Sequence, residues 1–195
     1  GRRISHVVIM GMGEPLLNLG NILHAINILD SEVGISPRRI TLSTVGIPEK
    51  MQELSRHKLP ITLAISLHAP EQELRSSLMP ATSKTPIKTL IKACKDYFNA
   101  TGRRITFEYL LIDKINDQIS HAYALATLLK GMPCHVNLIP FNPIPDCEFR
   151  KSPSKIVNQF KITLESSGIS VTQRFEKGAK KDAACGQLRR RVKKI

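Results

Sequence analysis

The stretch Val7–Asn18, "VVIMGMGEPLLN", runs directly into "LGNILHAINIL", which ends at Leu29. Val7 to Met10 is a short apolar, β-branched run that predicts a strand, and Ile22, Leu23, Ile26 and Leu29 recur at the spacing of one helix face. Between them lies a Gly-Met-Gly-Glu-Pro turn, so a carboxylate, Glu14, stands just past the end of an apolar strand. Gly11 and Gly13 permit positive φ or a close backbone approach to a ligand.

The same strand-then-helix unit recurs outward from this stretch. "RITLST" (39–44) predicts a strand, and "IPEKMQELSR" a helix with Pro48 in a first-turn position. "ITLAISLHAP" (61–70) predicts a third strand, followed by a polar loop and then a helix with a Thr85 cap, Pro86 at its start and Gly102 past its end. "RITFEYLLI" (104–112), "CHVNLIPFNP" and "ISVTQRF" predict three more strands, separated by the helical patterns "ISHAYALATLLKG" and "SPSKIVNQFKITLESSG". Six strands alternating with five helices predict an α/β fold with a parallel sheet, and the apolar runs suggest burial on both its faces. No G-x-G-x-x-G follows a strand, which disfavours a dinucleotide-binding sheet and favours a closed or open β/α barrel. In a barrel the functional residues lie just past the strand ends, here in "GMGEP", "STVG", "SLHAP" and "FNPIP". The proline-rich segment 140–154 reads as a long loop and a candidate surface lid.

The chain has 195 residues, enough for one compact domain, and carries 29 Lys and Arg against 16 Asp and Glu, a net charge of +13. That excess marks a polyanion binder, with nucleic acid the first partner to consider. No run approaches the roughly 18 to 20 apolar residues that span a bilayer, so a membrane protein is not expected. Cys94, Cys134, Cys147 and Cys185 are scattered with no C-x-x-C pair, which favours free thiols in a reducing compartment and a soluble, cytoplasmic protein. Cys94 falls on the apolar face of its helix and reads as core, and Cys134 and Cys147 read as inert. The basic run "GQLRRRVKKI" reads equally as a solvated helix face or an RNA-phosphate contact.

Five strings in order, "GMGEPLLN", "SPRRITLSTVGIP", "AISLHAP", "LIPFNPIP" and "DAACGQL", resemble the RlmN family of radical S-adenosylmethionine (SAM) enzymes over nearly the whole chain. That family methylates C2 of an adenine in 23S ribosomal RNA and in some transfer RNAs. The resemblance implies a partial (β/α)6 TIM-like radical SAM barrel without its first strand over residues 1–177, and a tail at 178–195. It makes Glu14 the acceptor for the SAM ammonium group, beside Gly13, and gives Ser43, Ser66, Leu67, His68 and Asn142 contacts to SAM. Judged without the family, His68 reads as a strand-end histidine and Asn142 as a turn residue.

The resemblance also makes Cys185 the residue methylated on sulfur by one SAM, before a second SAM, cleaved at a reduced 4Fe-4S cluster, activates that methyl group. Such a route suits an electron-poor amidine carbon, which cannot act as the nucleophile of an ordinary methyl transfer. Implied partners are 23S ribosomal RNA, some transfer RNAs and an external electron donor for the cluster, with the protein a monomer. A C8-methylating relative of the Cfr type shares much of this pattern, although Pro15 after Gly-Glu is closer to RlmN.

Two features depart from the family. The cluster-ligating C-x-x-x-C-x-x-C is absent from the sequence, and Lys180 and Lys181 stand where the family has an Asp-Ile pair. The expectation is therefore the C-terminal portion of such an enzyme, inactive by itself, with a non-catalytic RNA-binding paralogue as the alternative.

Overall fold

A computed structural model describes residues 4–143 and 147–174. Its strands are β1 Val7–Ile9, β2 Ile40–Thr44, β3 Thr62–Ser66, β4 Ile105–Leu111, β5 Cys134–Pro140 and β6 Ser170–Gln173. The α-helices are α1 Leu19–Ser31, α2 Pro48–Arg56, α3 Gln72–Leu78, α4 Ile87–Thr101, α5 Ile119–Leu129 and α6 Ser154–Ser166. All described strands pair in parallel in the sequential order β1-β2-β3-β4-β5-β6. Each connection passes through at least one helix, as parallel neighbours require. Among the described residues β1 and β6 do not pair with each other, so the barrel is open.

Local sequence explains most of the element ends. Pro48 opens α2, where its missing N–H is no loss. Gly102 ends α4 in the left-handed conformation, φ 67°, and its N–H bonds Phe98 O at 2.7 Å. The start of α4 differs from expectation. Thr85 makes no cap; Pro86 occupies the cap position, and the Ile87 N–H donates instead to Gln72 Oε1 at 2.7 Å. Gln72 belongs to α3, an element expected to be polar loop. The run "QELRSSL" shows no apolar stripe because its fully buried side chain is Arg75.

The sheet also corrects the expectation of burial on both faces. In β2 and β5 buried and half-buried residues alternate strictly. Leu42, Leu63, Ile65, Phe107, Tyr109, Val136 and Leu138 face the helices and form the core, with the Tyr109 and Phe160 rings 5.1 Å apart between centroids and tilted by 40°. The opposite face carries Ser, Thr, His, Asn and Glu side chains together with Val8, Ala64, Leu110 and Ile139, and remains partly open. A sheet with a mixed polar and apolar inner face in an open barrel has a surface on which to bind something.

The described part of the 140–154 segment is tied to the end of β4. Asp113 N–H donates to Arg150 O at 3.0 Å, Ile112 and Lys151 form an antiparallel bridge, and Phe141 meets Phe149 edge to face. Cys94 lies in the core as its spacing predicted, and burial pushes its thiol up to about 12. Burial likewise pushes Cys134 up to about 11, so both are inert at neutral pH. Among the described residues no helix is long and apolar enough to cross a membrane.

Candidate functional site

Glu14 sits at the first sharp turn of the chain, after Gly13 at φ 107°, a conformation that side-chain-bearing residues rarely adopt. Pro15 then starts a 3₁₀ turn, Pro15–Asn18, that Glu14 caps by accepting the Leu16 N–H on Oε1 at 3.0 Å. The same oxygen accepts the Thr44 hydroxyl at 2.6 Å, and Oε2 accepts the Val45 N–H at 2.8 Å. Thr44, having given its proton to Glu14, accepts the Gly46 N–H at 3.0 Å. One carboxylate thus stitches the loop after β1 to the end of β2. Among the described residues these three donors fill three of the roughly four acceptor positions on a carboxylate, the fourth lying on Oε2.

Beside this knot lies a cleft of about 560 Å³ at the carboxyl ends of β1, β2 and β3. Gly13, Glu14, Ser43 and Ser66 line it, together with apolar groups including Met10, Met12 and Ile22. The mixture suits a ligand that is part charged and part apolar. Four of the residues singled out in the sequence are therefore brought together.

The other predicted residues are placed differently. The side chain of Leu67 is fully buried in the core, and its N–H is already given to Glu108 O at 3.1 Å. His68 has a left-handed backbone, φ 59°, and its Nδ1 accepts the Leu110 N–H at 3.0 Å. The ring is therefore neutral with its proton on Nε2. Burial, and after it the charge of Arg75, hold the imidazole down at about 4. Asn142 is half-buried in the segment after β5 and does not line the cleft. Cys185, Lys180, Lys181 and the tail at 178–195 lie outside the described residues.

Several site residues escaped the sequence reading. Arg75 is fully buried, and one guanidinium nitrogen donates to both Val45 O at 2.7 Å and Ser66 O at 3.2 Å. It clamps the ends of β2 and β3 together at the cleft. Burial lowers it to about 10, which leaves it cationic at neutral pH. Asn116, also fully buried, donates to His68 O at 2.8 Å and Leu110 O at 2.6 Å while accepting the Ile112 N–H at 2.7 Å. The "SLHAP" turn is held by that amide. Gly46 approaches α4 so closely that an added Cβ would overlap the Leu90 side chain, and its φ is 88°.

This open parallel β/α barrel is the fold of radical SAM proteins. The sequence profile of the radical SAM superfamily matches residues 1–126, and the chain belongs to that superfamily. Within it, the chain is 50% identical to a probable dual-specificity RNA methyltransferase RlmN of Thermosynechococcus vestitus, over 97% of this chain and 56% of that protein. It is 52% identical to the protein of the same name from Desulforamulus reducens, over 98% of this chain and 55% of that protein. The chain thus spans about half the length of the curated relatives it matches. A crystal structure of a radical SAM methyltransferase from Sphaerobacter thermophilus superposes with a TM-score of 0.92 at 45% identity, covering 96% of this chain and 55% of that one. Streptococcus suis SuiB bound to SAM shares the fold alone, with a TM-score of 0.65 at 15% identity, covering 93% of this chain and 44% of that one.

The superfamily uses SAM and a 4Fe-4S cluster, and the two fare differently here. The cleft fits SAM, because Glu14 keeps an acceptor position for an ammonium group beside apolar walls. The cluster does not fit the residues present. The sequence lacks C-x-x-x-C-x-x-C, and the described residues contain no group of three or more His, Cys, Asp or Glu side chains able to hold a metal.

Proposed function

We propose that this chain is the SAM-binding portion of an RNA methyltransferase acting at C2 of adenine, in 23S ribosomal RNA and in some transfer RNAs, with Cys185 as the methyl-accepting residue. The observation that carries the reading is the cleft of Gly13, Glu14, Ser43 and Ser66 at the strand ends, with Glu14 pinned by three donors. Half-identity to proteins named dual-specificity RNA methyltransferases supports the reaction class and the RNA substrate. The net charge of +13 suits a phosphate backbone. Bound SAM would supply the methyl group. The chain's own residues orient it: Glu14 accepts from the ammonium, the loop glycine Gly13 permits close approach, and Arg75 and Asn116 hold the two neighbouring turns rigid.

Because cluster ligands are absent, the 195-residue chain alone is proposed to be inactive and to gain no 4Fe-4S absorbance when incubated anaerobically with iron and sulfide. Calorimetric titration tests the site directly. The chain should bind SAM, and Glu14→Gln should weaken binding about tenfold by removing a charge-assisted contact. Failure of the unaltered chain to bind SAM overturns the proposal. The reaction is tested in a polypeptide extended to the length of its relatives, where Cys185→Ala should abolish C2-methyladenosine; retained product overturns the role of Cys185.

A further inference from the structure

Charge is distributed unevenly between the two ends of the parallel sheet. The loops that leave β1 to β4 at their carboxyl ends, beside the cleft, carry Glu14, Glu71, Asp113 and Asp117 against a single lysine, Lys114. The segments that enter β2 to β5 at the opposite end reverse the sign. Arg38 and Arg39 precede β2, Lys58 precedes β3, Arg104 precedes β4 and Lys130 precedes β5, and all of these are exposed. Glu32 is the one acid in those segments.

The sequential parallel order sets these entries side by side. Strands lie about 4.8 Å apart, so the entries to β2 and β5 are about 14 Å apart along one edge of the sheet. Arg103 has a structural task there: it is half-buried, and its Nε donates to Ile61 O at 3.4 Å. No ion pair among the described residues engages Arg38, Arg39, Lys58, Arg104 or Lys130.

Helix dipoles explain part of this pattern. Lys58 and Lys130 follow directly on α2 and α5, where a cation meets the last carbonyls of a helix. That effect fades beyond the last turn. Arg38 and Arg39 lie well past the end of α1 at Ser31, and Arg104 lies past the Gly102 that ends α4. These three are also arginines, whose planar forks match phosphate oxygens two at a time. The exposed outer face of α4 is different: it carries Lys88, Lys92 and Lys95, with Lys92 paired to Asp96 at 2.7 Å, an ordinary solvated helix face.

We propose that Arg38, Arg39 and Arg104, flanked by Lys58 and Lys130, form a second RNA-contact face at the amino ends of the strands, which grips backbone phosphates while the target base is held at the mouth. β4 alone spans seven residues, about 23 Å, so the two contacts are made by parts of a folded RNA at least that far apart. The face meets phosphate and reads no base, so it adds affinity for a large structured RNA without sequence preference.

This inference rests on the reading of the chain as part of an RNA methyltransferase, and matched charge variants separate the two. The 195-residue chain is titrated with a folded transcript of 23S ribosomal RNA at several salt concentrations, melting curves confirming that each variant is folded. Arg38→Gln/Arg39→Gln/Arg104→Gln should bind about tenfold more weakly, and its log–log salt slope should fall by about 2 to 3, because each lost phosphate contact removes about 0.9. The single variant Arg104→Gln should lower the slope by about 0.9 and keeps the test available if the triple variant does not fold. Lys84→Gln/Lys88→Gln/Lys95→Gln removes the same charge from exposed lysines in and just before α4 and should change affinity less than about twofold. All variants should keep the SAM affinity of the unaltered chain. Equal losses in the two triple variants would make the effect one of net charge and overturn the second face. No loss in the arginine variants, or a loss on phosphatidylserine vesicles without one on RNA, would overturn it as well. Failure of the unaltered chain to bind the transcript overturns the RNA reading together with it.

Discussion

Glu14 and Glu108 are both glutamates at the inner mouth of the barrel, but the fold treats them oppositely. Glu14 sits in a loop and receives three donors, two of them backbone N–H groups of different segments. Glu108 sits within β4, is nearly fully buried and receives one side-chain donor among the described residues. The first carboxylate organises local structure as well as facing the cleft, whereas the second is organised by its neighbours. Stability measurements should therefore separate them. Glu14→Ala strands the Leu16 and Val45 N–H groups and the Thr44 hydroxyl, and should cost about 3 kcal/mol in urea unfolding. Amide exchange at Leu16 and Val45 should accelerate while β4 stays protected. A cost below about 1 kcal/mol would make Glu14 a ligand group only and remove the contrast.

The Glu14 half of the mouth depends on a close approach that the Glu108 half lacks. Gly46→Ala forces a left-handed residue with a side chain against Leu90, and should cost about 2–3 kcal/mol. Combining it with Leu90→Ala should give less than the sum of the single effects, since the second change removes the overlapped group. Strict additivity would place the strain elsewhere.

His68 lies between the two halves, and its effect is read through pH. Its folded value of about 4 lies below the ordinary 6.5, so the unfolded chain binds the extra proton first. Its contribution is fully present above about 6.5 and lost as pH falls toward about 4, in full roughly 3 kcal/mol. Protonation would also take away the acceptor of the Leu110 N–H. Unfolding at pH 7.5 and pH 5 should show the loss, and His68→Gln should flatten it.

This asymmetry explains what could be read from the sequence. The order of strands and helices follows from apolar runs and helical spacing, and all six expected strands are present. Glu14 stood out in the sequence as a carboxylate just past an apolar strand and within a string resembling the RlmN family, while its capping of the following turn and its tie to β2 were visible only in the structure. Helix α3 was not, since its buried residue is Arg75 and burial of a cation leaves no apolar period. Glu108 was masked by its flanks: Phe107 and Tyr109 face the helices, so "TFEYL" reads as one apolar run. The signal lay in polar residues at a period of two, Thr106 and Glu108, His135 and Asn137, Ser170 and Thr172, recurring in three successive strands. Glu108 matters only in register with its neighbours, and register is a tertiary fact.

The smallest expected effect is the sharpest test of the comparison, because its sign is reversed. Burial raises the Glu108 carboxyl above its ordinary 4.5, against the opposing hydrogen bond from Asn137 and the charge of Arg174. A raised folded value means that the folded state holds its proton longer. The group's contribution is present below about 4.5 and lost as pH rises through the folded value, so at neutral pH its charge opposes folding. Glu108→Gln keeps an acceptor for Asn137 and removes that charge, and should therefore be neutral or stabilising by up to about 1 kcal/mol at pH 7, measured by urea unfolding. That outcome would show a carboxylate whose charge the fold itself does not need, in contrast to Glu14. Destabilisation beyond about 1 kcal/mol would instead make Glu108 a second structural knot like Glu14, and the two halves of the mouth would then be alike.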